Sequence, residues 1–211
     1  MIKQSKLFLF SSWVLLFLTL TGCANFSKNY PERNYYILNV SNKDQNSSPV
    51  SGTVLEVRRF EISPSFSGRE FVYRIGDLSY ESDFYNQFFR PPSLLTTDEV
   101  RKWFSESGRF KYVVDSSNNV EANYILEGNV SELYGDFRAT NEPKAVLGIQ
   151  FFLIEETSTN PQIVFQNNYR REVVLSSNSP EELVKGWNEA LEQILTAFAG
   201  DLKNVNFKPP Q

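Results

Sequence analysis

Between Ala122 and Leu175 apolar residues recur with a period of two, with a few gaps, in three successive runs. Ala122, Tyr124, Leu126 and Val130 share one face of the first run, and Leu147, Ile149, Phe151 and Leu153 one face of the second. Ile163, Phe165, Tyr169, Val173 and Leu175 share one face of the third. A period of two is the signature of a strand with one face buried. Ser158-Thr159-Asn160-Pro161 makes a hairpin-like turn between the second and third runs, so the three predict an antiparallel meander. The period then changes. Ser179 is placed to cap a helix, Pro180 takes its first position and Glu182 completes a capping box. Leu183, Trp187, Leu191, Ile194, Leu195, Phe198 and Leu202 follow on one helical face. Such a stripe could bind a partner, but it is read here as packing on the sheet.

Earlier elements are shorter. Tyr35-Tyr36-Ile37-Leu38 is a first strand candidate, and residues 41–52 are polar and turn-rich. Val54 to Ile62 reads as a strand whose inward face switches from Leu55 and Val57 to Phe60 and Ile62, implying a bulge near Arg58-Arg59. Phe71 to Ile75 and Leu78 to Tyr80 flank Gly76-Asp77 as a tight hairpin. Thr96 and Glu99 have capping-box spacing ahead of Val100, Trp103 and Phe104, and Gly108 ends that helix. The expected fold is α+β: a mostly antiparallel sheet with two main helices packed on it, in a single domain.

The N-terminus carries a different signal. Lys3 and Lys6 precede an apolar run of 14 residues from Leu7 to Leu20, which ends in Leu20-Thr21-Gly22-Cys23. This reads as a lipobox, where a bacterial leader is cut and the new N-terminal cysteine is acylated. The run is shorter than the roughly 20 residues that span a bilayer. A plain secretory leader and an uncleaved anchor are the alternatives. Cys23 is the single cysteine, so no internal disulfide can form. Ala24 stands where an aspartate would favour inner-membrane retention, which points to the outer membrane, facing the periplasm. The chain thus divides into a lipoprotein signal peptide (1–22), an acylated Cys23 with a polar tether (23–34), and an α+β domain (35–211).

The leader holds two of the 21 basic residues and none of the 25 acidic ones, leaving 19 against 25 in the remaining 189 residues. A net charge near −6 with no basic block argues against nucleic acid as a partner. Histidine is absent, which removes the commonest general base and metal ligand. Glu155-Glu156 would point to opposite faces of a strand, and Glu181-Glu182 sit where a helix dipole favours negative charge. No glycine-rich phosphate loop occurs. These readings predict no catalytic residue, no metal and no cofactor, and no enzyme activity.

One segment resists a purely structural explanation. Tyr80 to Phe89 packs five aromatics, Tyr80, Phe84, Tyr85, Phe88 and Phe89, just before Pro91-Pro92. If helical, Phe84 and Phe88 share one face, and Tyr85 and Phe89 its neighbour. The five are a candidate partner- or lipid-binding surface; the alternative is that they plug the end of the sheet.

With this segment in place the chain resembles the auxiliary lipoproteins of ABC-type transport systems that work with MCE-domain proteins, among them the lipoprotein of the paraquat-inducible system. The likeness runs through the lipobox, Tyr35-Tyr36-Ile37-Leu38, Phe71-Val72-Tyr73-Arg74 leading into Leu78-Ser79-Tyr80, the aromatic-Pro-Pro stretch, and a long helix after a meander. It covers residues 35 to 203. Where the family usually has a tryptophan soon after the Tyr80-like position, this chain has Phe84, Tyr85, Phe88 and Phe89. Only Cys23 carries over by motif. The resemblance implies a non-enzymatic, membrane-anchored component that docks or assembles a periplasmic bridge, with an MCE-domain protein as partner and lipid or another hydrophobic molecule as cargo. A lipid-binding periplasmic carrier is one alternative; a structural envelope lipoprotein or cell-wall synthase activator is another. Homo-oligomer formation would suit a bridge with rotational symmetry, although no heptad marks it.

Overall fold

The structure, a computed structural model, describes residues 32–42, 52–118, 120–139, 141–156 and 160–208. The expected leader, Cys23 and the expected tether through residue 31 lie outside the described residues, as do most of the 41–52 segment and residues 157–159 of the expected hairpin turn. Residues 33–211 form one compact unit. In chain order the elements are β1 (Asn34–Tyr36), β2 (Val54–Val57), β3 (Glu61–Ile62), β4 (Glu70–Arg74), β5 (Tyr80–Phe88), α1 (Pro92–Glu106), β6 (Tyr112–Val114), β7 (Tyr124–Asp136), β8 (Lys144–Glu155), β9 (Gln162–Val174) and α2 (Pro180–Asp201).

The expected meander is present: β7, β8 and β9 pair antiparallel over their lengths. The sheet as a whole is not mostly antiparallel. It is a curled, mixed sheet of half-barrel form, and this corrects the fold class read from the sequence. The reason lies in β7. One of its edges takes β8; the other takes β2, β3 and β4 in succession, and all three run parallel to it. β6 lies parallel to β2, and β1 parallel to β5. Thirteen residues of strand extend about 40 Å at about 3.3 Å each, long enough for three short strands end to end. Parallel neighbours need a crossover, and the chain passes through α1 and β6 between β4 and β7. Alternation in a strand reveals which face is buried but not the direction of its neighbour.

The inward-face switch at Arg58-Arg59 is a break between β2 and β3, with Leu55, Val57 and Phe60 all buried. Phe60 enters the gap, its N–H donating to Thr97 Oγ1 at 2.9 Å while that hydroxyl donates to the Ser93 carbonyl at 2.7 Å. Its ring lies on the bare backbone of Gly128 in β7. Helix α1 starts four residues before the expected cap: Pro91 is the N-cap and Pro92 the first residue, leaving Thr96 buried inside the helix. Gly108, at φ +65°, follows its C-cap Ser107.

Helix α2 packs its stripe as expected, with Leu183, Trp187, Leu191, Ile194, Leu195 and Phe198 buried against β8 and β9. Ser179 Oγ accepts the Glu182 N–H at 3.3 Å, but the Glu182 carboxylate turns to Ser176 and Lys185. Ile163 departs from its expected face: Leu153 pairs with Phe165 and Ile154 with Ile163, so a bulge at Val164 leaves Ile163 exposed. After β1, residues 37–42 thread between the helices. Leu38 and Val40 enter the core, the Asn39 N–H donates to Asn188 of α2 and the Val40 N–H to Glu99 of α1.

Candidate interaction surface

The aromatic segment is strand, not helix, and its strand contains a break in register. β4 and β5 pair from Arg74↔Tyr80 to Phe71↔Asp83, and the next pair is Glu70↔Gln87. Phe84, Tyr85 and Asn86 are therefore displaced from the β4 ladder as a three-residue bulge. Asp83 holds it. Its Oδ1 accepts the backbone N–H groups of Tyr85 and Asn86 at 2.8 and 3.0 Å. Its Oδ2 accepts the Tyr73 hydroxyl at 2.6 Å and the Asn86 side-chain amide at 2.8 Å. Gln87 donates to the Phe84 carbonyl at 3.1 Å and closes the turn. An aspartate bonding the amides two and three residues on is a local alternative to the ladder, so a short sequence signal creates the bulge. Burial alone would raise the Asp83 carboxyl; the bonds from Tyr73, Asn86 and the two backbone amides outweigh it and hold the group below the usual carboxylate range.

A bulge re-aims side chains, and here it divides the five aromatics. Phe84 is 58% exposed and Tyr85 41%, their rings edge-to-face at 5.3 Å. Tyr80 and Phe89 are also exposed. Phe88 departs from the candidate surface: it is buried, 4.8 Å from the Phe71 ring and 5.3 Å from Trp187 of α2. It anchors the strand to the core while its neighbours face out.

Strand β1 supplies the residues that sequence reasoning missed. Its parallel pairing sets Asn34 beside Asn86, Tyr35 beside Gln87 and Tyr36 beside Phe88. The Arg33 guanidinium lies over the Phe84 ring at 4.1 Å. Tyr35, half exposed, meets Phe89 edge-to-face at 6.3 Å, and Arg69 lies 5.3 Å over Tyr35. Arg74 lies 5.8 Å over Tyr80. Tyr36 turns the other way, against Phe71, and donates to Glu181 at 2.9 Å; burial and that bond push its hydroxyl up to about 12. No local pattern links residues 33–36 to 84–89, because a parallel pair across about 50 residues leaves no periodicity to read.

The acidic pairs have structural partners. Glu155 is buried and binds Lys208 at 2.8 Å, while Glu181 and Glu182 accept from Tyr36 and Lys185 at the start of α2. Among the described residues no group of three or more His, Cys, Asp or Glu could hold a metal ion, and no helix is long and apolar enough to cross a membrane. A groove of about 870 Å³ runs along α2 past Arg171, Lys185, Asn188 and Glu189. Another of about 510 Å³ lies on the sheet among Arg58, Arg59, Glu61 and Glu127. Both have charged walls.

No family model and no curated protein matches this sequence. The fold does match solved structures. Protein XCC0632 from Xanthomonas campestris, of the family DUF330, aligns with a TM-score of 0.71 at 17% identity, over 79% of this chain and 93% of that one. An uncharacterized protein aligns with a TM-score of 0.62 at 16% identity, over 81% of this chain and 99% of that one. At such identities the likeness is one of fold.

Proposed function

We propose that this chain is a non-enzymatic, lipid-anchored envelope protein that docks or assembles an ABC/MCE-type transport system for lipid or another hydrophobic cargo. The resemblance of residues 35 to 203 to the auxiliary lipoproteins of such systems, and the lipobox ending at Cys23, support the role and an outer-membrane location. The docking role rests on the resemblance; the observation that carries a contact surface beside the anchor is the Asp83-held bulge. A carboxylate with four hydrogen bonds lifts two aromatic residues out of a sheet and leaves them in solvent. Exposed aromatics grouped with arginines are a feature of interaction surfaces.

The test is in-cell crosslinking of the tagged full-length protein, followed by mass spectrometry. An MCE-domain protein among the products is the expected result. Recovery of cell-wall synthases instead would transfer the assignment to the structural envelope reading, and lipid co-purified in stoichiometric amount would favour the carrier.

A further inference from the structure

We infer that the Phe84–Tyr85 bulge, with Arg33, Tyr35 and Phe89 beside it, seats the folded unit directly on the phospholipid surface to which its anchor is attached. The inference rests on the lipid-anchored reading above and adds the face that meets the membrane.

Three observations converge on a bilayer as the occupant. The first is construction: residues 84–86 leave the ladder and Phe84 stays 58% exposed, although Phe88 four residues on shows that the same strand can bury a ring. The second is chemistry. Phe84 lies under the Arg33 guanidinium and against the Tyr85 ring, while Tyr35 lies under Arg69 and against Phe89. Aromatic rings at the level of the headgroups, with arginine heads among the phosphates, are the arrangement that a membrane interface favours. The third is place. Arg33, in contact with the bulge, is ten residues after Cys23. Ten residues reach at most about 33 Å, so an acylated Cys23 keeps this face within about one bilayer thickness of the lipid surface. A contact too weak to hold a free protein then suffices, because the tether makes it intramolecular. On the side opposite β4 the edge of β5 is free over residues 80–85, up to the start of β1 at Asn86. The bulge at residues 84–86 breaks into it, so a partner strand would find a regular edge only at residues 80–83.

The test uses full-length protein in vesicles of phosphatidylethanolamine and phosphatidylglycerol, with either ordinary or brominated acyl chains. Bromine quenches an indole that lies at or in the bilayer. One sample carries Phe84→Trp; the control carries Val174→Trp, on the exposed face of β9. Flotation with the vesicles reads the anchor, and quenching reads the bulge. The expected result is flotation of both samples, with a blue shift and brominated-lipid quenching of the added emission in Phe84→Trp alone. The buried Trp103 and Trp187 report that each variant is folded. Flotation without quenching of Phe84→Trp overturns the inference and leaves the anchor standing; so does equal quenching of both samples. Failure to float overturns both the anchor and the contact. A crosslink from position 84 to a protein, with no quenching, would identify a protein partner in place of the bilayer.

Discussion

The Tyr73 hydroxyl donates to Asp83 at 2.6 Å, tying β4 to the carboxylate that shapes the bulge on β5. The same carboxylate is spent on the Tyr85 and Asn86 amides, so a single side chain links a core-facing strand pair to the exposed aromatics. Asp83→Ala should leave Tyr73 without its acceptor and two backbone amides without theirs, costing roughly 1–3 kcal/mol. Urea denaturation measures the loss, and hydrogen exchange should show faster exchange at Tyr85 and Asn86.

Acid should act on the same group. Its folded-state value is depressed below 3.8, so its contribution is complete above that value and is lost as pH falls through the folded value. Stability should therefore decline on acidification below about pH 4 by more in the wild type than in Asp83→Asn. Equal acid limbs for the two proteins would show that Asp83 contributes nothing there.

Gly128 is the second close approach. A Cβ at this position would lie only 2.4 Å from a carbon of the Phe60 ring, so Gly128→Ala should destabilise by about 1–3 kcal/mol through overpacking. Adding Phe60→Leu should recover part of that loss, because the smaller side chain vacates the space. A double-mutant cycle in urea reads the coupling.

Trp187 packs against both Phe71 and Phe88, and its Nε1 donates to the Tyr134 carbonyl at 3.3 Å. Trp187→Ala should cost about 3–5 kcal/mol and remove much of the near-UV circular dichroism. It should also loosen the bulge, since Phe88 holds that end of β5.

Cys23→Ala tests the proposed anchor independently of the fold. Acylation should be lost from the N-terminal peptide, as read by its mass. Residues 33–211, which form their own compact unit, should keep their melting temperature.

Much of the architecture was legible because it is local. The meander runs, the α2 stripe and the face switch at Arg58-Arg59 each leave a period in the sequence. The β4–β5 hairpin forms where Gly76-Asp77 places it, but its turn is wider than two residues and takes in the exposed Leu78. The errors share a cause as well. Thr96 offered a capping-box spacing, but the Pro91-Pro92 start won because proline's fixed φ and missing N–H suit the first helical turn. Phe84 and Phe88 have helical spacing, yet Asp83 and the β4 ladder place them in a strand with opposite fates, one exposed and one buried. Ile163 fits the alternation of its neighbours, and a single extra residue at Val164 reverses it.

The sequence by itself determined which segments alternate, where α2 begins, that these 211 residues hold no histidine, and that Tyr80, Phe84, Tyr85, Phe88 and Phe89 cluster as a candidate surface. Only the tertiary structure decided that β2, β3 and β4 run parallel to β7, that β1 brings Arg33 and Tyr35 to the bulge, and that Phe88 belongs to the core. Hydrophobic periodicity records which side of a segment is buried. The partner across a parallel pair is chosen by long-range packing and crossover connections, which leave no mark within the segment itself.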